Sequence, residues 1–357
     1  MLNLDSCGCL LVEETYRPPS GDGCLPETTG LKVRAWKDGL LLAAERLARQ
    51  VYWSSPRLRA WVRRRRSRVR PARQVAGRQQ LKQFLRQVGV REGALVMAHT
   101  SVSGLMLTEP SGQGPEAPNP ALVAKQLVDD LLELVGETGT LVMPTHARYQ
   151  TEDEYGLHAD PNHLITYDPR KTPCGVGLAN ELFWRRQGVE RSSHPYNMLA
   201  ACGPLAAELL RDNLNELKPL PHGVYSGYYR FCQQNGLVVS IGVPLGPYLT
   251  LIHVAEEVRD KDWPIKDFFE EKRYVVRIDG HDRTWVVRQH RLEYAMFCLC
   301  MRKVQRDLIG EGILHEAAVG SVRVDWARAR EVFEYSMSRN QKSTYPYYWT
   351  WPIRKKR

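Results

Sequence analysis

A few side chains in this sequence are of the right type and spacing to move a proton or hold a charged ligand. His194 lies in Arg191-Ser-Ser-His194-Pro195. The proline ring excludes helical backbone for the residue before it, so this histidine is held extended and can be aimed as a general base. A His-Pro pair serves a structural turn as readily. His253 and Glu256 stand three apart in a segment of helical spacing and so present to one face. They read either as a proton-handling pair or as an ion pair on a helix surface. The turn Thr100-Ser101-Val102-Ser103-Gly104 follows an apolar strand. Its hydroxyls and amides suit a diphosphate or a developing oxyanion, although an ordinary Ser/Thr turn has the same composition. Asp168, ahead of Pro169, is either a ligand contact or a turn former.

Other reactive groups are less promising. The eight cysteines lack the paired CxxC spacing of a zinc site and are expected to be reduced. Cys174 is the one thiol placed to accept an acyl group, whereas Cys202 falls in a small apolar run and should be buried and inert. His146, His158 and His163 are irregularly spaced, so no metal is expected. Gly175-Val-Gly177 is too short to be a dinucleotide fingerprint.

These residues need a scaffold, and residues 79 onward supply the pattern of one. A helix through Leu81, Phe84, Leu85 and Val88 leads to a strand at Ala94–His99. After a Pro/Gly-rich loop at 109–120, an amphipathic helix from Leu122 to Val135 is stopped by Gly136, and a second strand spans Thr140–His146. Val176–Arg186 reads as a helix, Leu237–Gly242 as a buried strand and Thr250–Val258 as a short helix. Arg273–Ile278 and Thr284–Val287 form a hairpin around Asp279-Gly280, and helices near 291–308 and 325–338 close the body. The chain carries no internal repeat.

Charge divides the 357 residues further. The net +10 comes from 50 Lys+Arg against 40 Asp+Glu. Residues 32–73 hold 14 Lys/Arg against Asp38 and Glu45, the last four residues are all basic, and 74–353 carry a net charge of −2. A nucleic-acid surface spread over the body is therefore disfavoured. Residues 1–30 read as a flexible leader and 31–77 as a basic amphipathic helical extension bearing Trp36, Trp53 and Trp61. That extension, through residues 31–73, is either a solvated helix pair or a peripheral anchor for an anionic membrane surface. No apolar run approaches the roughly 18 residues of a membrane span, and the N-terminus lacks the pattern of a signal peptide. A cytoplasmic protein is expected, with the extension able to hold it at the inner membrane face.

The ordered set His99-Thr-Ser-Val-Ser, Gly139-Thr-Leu-Val-Met-Pro-Thr-His146, Tyr167-Asp168-Pro169 through Thr172-Pro173, Arg191-Ser-Ser-His194-Pro195 and Ile252-His253-Val-Ala-Glu256 resembles the aminoglycoside 3-N-acetyltransferases, antibiotic acetyltransferases unrelated in fold to the GNAT superfamily. The resemblance covers about residues 78–340. With the element order, it implies a single large α/β/α domain around a central mixed β-sheet at 78–345, followed by a basic tail at 346–357. It also implies direct acetyl transfer from acetyl-coenzyme A to an amine of an amino sugar or aminoglycoside-like acceptor, without a metal. By the resemblance, His194 is the general base, Thr100, Ser101, Ser103 and Thr172 bind the cofactor, and Asp168, His253 and Glu256 face the acceptor.

Two features depart from the family pattern. A carboxylate expected in a glycine-rich segment after the His-Pro motif is replaced by His222, in Leu220-Pro221-His222-Gly223. Orientation of the base would then fall to Glu256 or Asp168, with His222 a third catalytic candidate. The nearly neutral body and basic extension also suit a polycationic antibiotic poorly, despite the acidic run Glu152-Asp153-Glu154. O-acetylation of a surface-polysaccharide or lipid-linked sugar, and a non-catalytic protein of the same fold, remain as rival readings. Oligomeric state is not legible.

Overall fold

The structure is a computed structural model that describes residues 2–4, 10–12, 47–66 except 53, 73–108, 119–149, 163–291, 294, 298–339 and 347–348. The chain falls into two compact units, one of residues 1–69, 292–300 and 347–357 and one of residues 70–291 and 301–346. Most of the leader, residues 31–46 of the extension, the acidic run 152–154, His158 and the last nine residues lie outside the described residues.

In the first unit, Leu2–Leu4 pairs antiparallel with Leu10–Val12. A basic helix spans Pro56–Arg66. Proline suits a first helical turn, where its missing N–H would have had no partner, and Ser55 Oγ accepts a hydrogen bond from the Leu58 N–H at 3.2 Å. Among the described residues, no helix is long and apolar enough to cross a membrane.

The second unit contains the strands and helices that concern the site. Its elements are β1 (Gln74–Gly77), α1 (Arg78–Gln87), β2 (Leu95–Thr100), β3 (Leu105–Thr108), α2 (Pro120–Val135), β4 (Thr140–Pro144), β5 (Ile165–Tyr167), α3 (Leu178–Trp184), β6 (Glu190–Arg191), β7 (Leu199–Cys202), α4 (Ala206–Leu210), α5 (Gly227–Gln233), β8 (Leu237–Ile241), α6 (Ile252–Arg259), β9 (Phe269–Ile278), β10 (His281–His290), α7 (Met301–Gly310), β11 (Leu314–Val319), β12 (Val322–Arg328) and α8 (Ala329–Arg339). A seven-stranded mixed sheet has the order β11-β12-β8-β2-β4-β7-β6. Strands β8, β2 and β4 run parallel at its centre, with Ser240 opposite His99 and Leu95 opposite Thr140. Strands β12 and β7 flank them antiparallel.

The central strands are apolar on both faces because helices and loops cover both. Leu141, Val142 and Met143 are fully buried, and Leu127, Leu131 and Phe183 pack into the same core as Leu141 and Met143. Helix α2 starts at Pro120, where Asn119 Oδ1 accepts from Ala121 and Leu122 N–H groups, and ends at Gly136 with φ 65°. A smaller sheet joins the β9–β10 hairpin to β5, and the hairpin turns at Asp279-Gly280 with φ 50° and 84°.

The expected second closing helix begins later than its spacing suggests, at Ala329. Residues 322–328 instead form β12, because Val322, Val324 and Ala327 are buried in the main sheet beside β8. Helix α7 spans Met301–Gly310; of the residues expected to precede it in one helix, 292–293 and 295–297 lie outside the described residues, and Tyr294 and Cys298 are π-helical.

Candidate active site

Parallel strands put their carboxyl ends at one edge of the sheet, and open α/β sheets bind ligands there. At that edge lie Thr100-Ser101 after β2, Thr145-His146 after β4 and Gly242 after β8. The start of β7 joins them, since Leu199 lies opposite Pro144. Ser101 N–H donates to Ile241 O at 3.0 Å, which ties the hydroxyl turn to β8. Gly242 permits this approach: its φ is 75°, and a Cβ there would stand 2.6 Å from Ser101 O. Asn180 of α3 bridges the neighbouring ends, donating to Pro144 O at 2.7 Å and meeting Thr100 Oγ1 at 3.5 Å. Ser101 is half-buried and Ser103 exposed.

The segment carrying His194 is held by its arginine. Arg191 donates from Nη2 to Thr145 O at 2.7 Å and from Nη1 to Thr172 O at 2.6 Å, and its guanidinium stacks 4.5 Å from the Trp184 ring centroid. His194 is 3% exposed. Its Nε2 faces Pro219 O at 3.2 Å, and its Nδ1 lies 2.9 Å from Tyr196 O and 3.1 Å from Tyr196 N. Carbonyls thus flank both nitrogens, and a neutral ring donates to only one of them, so in either tautomer both ring nitrogens lie against main chain. Burial depresses its pKa to about 4. Thr172 Oγ1 accepts from Asp168 N–H at 2.9 Å, which leaves its own proton to donate, while Asp168 Oδ1 accepts from Arg170 N–H at 2.8 Å in a tight turn.

A different arrangement surrounds α6. His253 Nδ1 lies 2.7 Å from Glu256 Oε2, with the carboxylate fully buried and the imidazole 12% exposed. Burial opposes the charge on His253, but Glu256, aided by Glu257, overcomes it and raises the pKa above the ordinary imidazole value. Glu257, one residue on, also faces inward. Its Oε1 is 2.8 Å from His222 Nδ1, and its Oε2 accepts from the His222 backbone N–H. Burial alone would raise Glu257, yet His222 and then His290 hold it well below the usual carboxylate range. His222 is kept neutral by burial, which Glu257 only partly offsets.

His222 therefore donates through Nδ1–H to Glu257 and accepts at Nε2 from Asn197 Nδ2, 3.1 Å away. Three rings lie together: His253 stacks on His290 at 5.0 Å between centroids and stands 5.3 Å from His222. His146 at the end of β4 is depressed to about 3 by burial and then by His222, His99, Arg191 and His253 nearby.

Of the residues singled out in the sequence, His253, Glu256 and His222 are brought into one cluster, and Thr100 and Ser101 lie at the sheet edge, where Thr100 meets Asn180, which the sequence did not single out. Sequence reasoning missed Glu257 and His290. Glu257 had a signal, since i and i+4 share the face that i and i+3 share. His290 ends a hairpin strand and carried none. Burial pushes the Cys174 thiol up to about 11, so it is protonated at neutral pH, and Cys202 is shifted in the same direction.

The family model described as Aminoglycoside 3-N-acetyltransferase matches residues 97–340. Aminoglycoside N(3)-acetyltransferase IV of Salmonella sp is 31% identical over 175 residues, 48% of this chain and 55% of that protein. Aminoglycoside N(3)-acetyltransferase III, also of Salmonella sp, is 30% identical over 185 residues, 49% of this chain and 58% of that protein. The chain thus spans little more than half the length of these curated relatives. Aminoglycoside N(3)-acetyltransferase IX of Micromonospora chalcea is 26% identical over 287 residues, 73% of this chain and 92% of that protein. Among solved structures, aminoglycoside acetyltransferase AAC(3)-Xa superposes with a TM-score of 0.57 at 24% identity, covering 74% of this chain and 92% of its own. AAC-IIIb, solved as a binary complex with CoASH, gives a TM-score of 0.59 at 18% identity, covering 74% and 96%.

Proposed function

The chain belongs to the aminoglycoside 3-N-acetyltransferase family, and from that premise we propose that it transfers an acetyl group from acetyl-coenzyme A directly to an amine of an amino sugar or aminoglycoside-like acceptor. The observation that carries this reading is the His253–Glu256 pair on α6, with its nearly buried imidazole and fully buried carboxylate. Glu256 accepts a hydrogen bond from Nδ1–H, so the lone pair of neutral His253 lies on Nε2. His194 was expected in this role, but its two ring nitrogens are both engaged by backbone. The base is therefore assigned to His253, with Glu256 as its orienting carboxylate.

In this mechanism, Nε2 of His253 removes a proton from the acceptor amine as its nitrogen attacks the thioester carbonyl. The C–N bond forms, the carbonyl oxygen becomes an oxyanion, and collapse expels the coenzyme A thiolate, which is then protonated. Glu256 stabilises the imidazolium formed midway. Hydroxyls of Thr100, Ser101, Ser103 and Thr172 supply donors for the cofactor and the oxyanion. Asp168 contributes on the acceptor side. His222, held neutral between Glu257 and Asn197, positions the neighbouring rings rather than accepting the substrate proton.

The basic helix of the first unit supports a further proposal of location. Trp61 is 54% exposed, as are Leu47 and Val51 to similar degrees, beside exposed Arg64 and Arg65. Such a mixture suits an anionic lipid surface. Co-sedimentation with vesicles containing phosphatidylserine should fall when Arg64 and Arg65 are changed to Glu, and unchanged binding would dispose of it. The function itself is tested by thiol release from acetyl-coenzyme A with a panel of amino sugars. Turnover with an amine acceptor is expected; no turnover, together with no thermal stabilisation by coenzyme A, would contradict it.

A further inference from the structure

We propose that His222, Glu257 and His290 form a binding site for a divalent transition metal of the zinc class. One ligand atom from each of the three lies within 4.8 Å of the other two, and all three residues are buried. His222 Nδ1 is 2.8 Å and His290 Nδ1 3.5 Å from the same Glu257 oxygen, Oε1. Tetrahedral zinc with ligands at about 2.0–2.2 Å needs donor atoms about 3.3–3.6 Å apart, so the two histidine nitrogens already stand near that spacing from Glu257 Oε1.

A second observation points to a ligand. His290 is 3% exposed, and its Nδ1, which faces Glu257, makes no hydrogen bond. A buried nitrogen without a partner is costly, and a metal ion is one group that would satisfy it. The surrounding contacts are those a metal centre needs. His290 Nε2 is 3.5 Å from the Tyr196 hydroxyl, and His222 Nε2 is 3.1 Å from the Asn197 amide, which presents oxygen instead of nitrogen after a simple flip. Glu257 Oε2 is fixed by the His222 backbone N–H. Each ligand thus has its outer atom held, the arrangement that sets ring orientation in histidine metal sites. Two imidazoles and one carboxylate favour zinc and its neighbours over magnesium or calcium, and leave a fourth position open.

The spacing of the ligands hides this site. They come from the loop before α5, from α6 and from the end of β10, and only the fold assembles them. The site stands independently of acetyl transfer, because its test reads binding.

The full-length protein is stripped with a chelator, loaded with zinc chloride, passed through gel filtration and assayed for metal by mass spectrometry, with thermal unfolding followed in parallel. Cobalt(II) chloride serves as the spectroscopic probe. We expect about one zinc per chain, a higher Tm on loading, and cobalt bands of a nitrogen and oxygen site without thiolate charge transfer. His290→Gln and Glu257→Gln should each lower zinc affinity on the order of tenfold or more, while His315→Gln, an exposed histidine stacked on Trp326, should leave it unchanged. Substoichiometric zinc in the wild-type protein, a thiolate band with cobalt, or equal affinity in both ligand variants would assign the triad to hydrogen bonding alone. The wild-type stoichiometry decides the matter even if a variant fails to fold.

Discussion

Two histidine regions of the second unit have opposite chemistry. Around His194, both imidazole nitrogens are spent on main-chain groups, and Arg191 locks the preceding segment to Thr145 and Thr172. Around α6, the imidazoles instead meet carboxylates, and His253 keeps partial exposure and a raised pKa. Both regions are buried and rich in polar atoms. The difference is the ground for the proposed assignment: a general base needs an unspent nitrogen, and one beside an orienting carboxylate suits the role better than one against main chain.

Substitutions at the two histidines separate the regions most sharply. His253→Asn should lower kcat/KM about a thousandfold with little change in Tm. His194→Asn should behave in reverse, losing about 1–3 kcal/mol of stability through orphaned backbone groups while the folded fraction retains activity within about tenfold of wild type. Comparable losses of activity at both positions in folded protein would erase the distinction.

Arg191→Lys probes the clamp. A lysine cannot reproduce the fork to Thr145 and Thr172 or the stacking on Trp184, so denaturant unfolding should show a loss of about 2 kcal/mol. An unchanged midpoint would show that the clamp contributes nothing to stability.

Glu256→Gln removes the charge that raises His253 while keeping an acceptor for its Nδ1–H. Activity should fall by about ten- to a hundredfold. In the wild type, kcat/KM rises with pH through the acidic limb of His253, which lies above the ordinary imidazole value; in the variant that limb moves to lower pH. A limb that stays in place would detach Glu256 from the base.

A last effect falls on the acid side of the stability profile. His99 and His194, depressed to about 4, and His146, depressed to about 3, are neutral when folded and protonate more readily when unfolded. Their contribution is present above about pH 6.5 and is lost as pH falls toward 4. His253, with its raised pKa, works the other way: its contribution is full below about pH 6.5 and is lost as pH rises through its folded value. Urea unfolding from pH 7 to 4.5 should show a net decline in stability, and a flat profile would contradict the neutral burial of the three.

Much of the scaffold was legible because its signals are local. Short continuous apolar runs marked β2, β4 and β8, Gly136 marked the end of α2, and Asp279-Gly280 marked the hairpin. Strand β12 was not legible, since Val322–Arg328 becomes a strand by pairing with β8, far away in sequence. The candidate site divides in the same way. His253 and Glu256 declare themselves by helical spacing, whereas the saturation of His194 depends on Pro219 O, and the approach of His290 to Glu257 depends on how the hairpin meets α6.

The central claim is that His253, and not His194, takes the proton from the acceptor. Thiol release from acetyl-coenzyme A, compared between folded His253→Asn and His194→Asn proteins with the same amine acceptor, tests it most directly. The account predicts kcat/KM lower in the His253 variant by about two orders of magnitude or more. Equal rates, or a slower His194 variant, would contradict it.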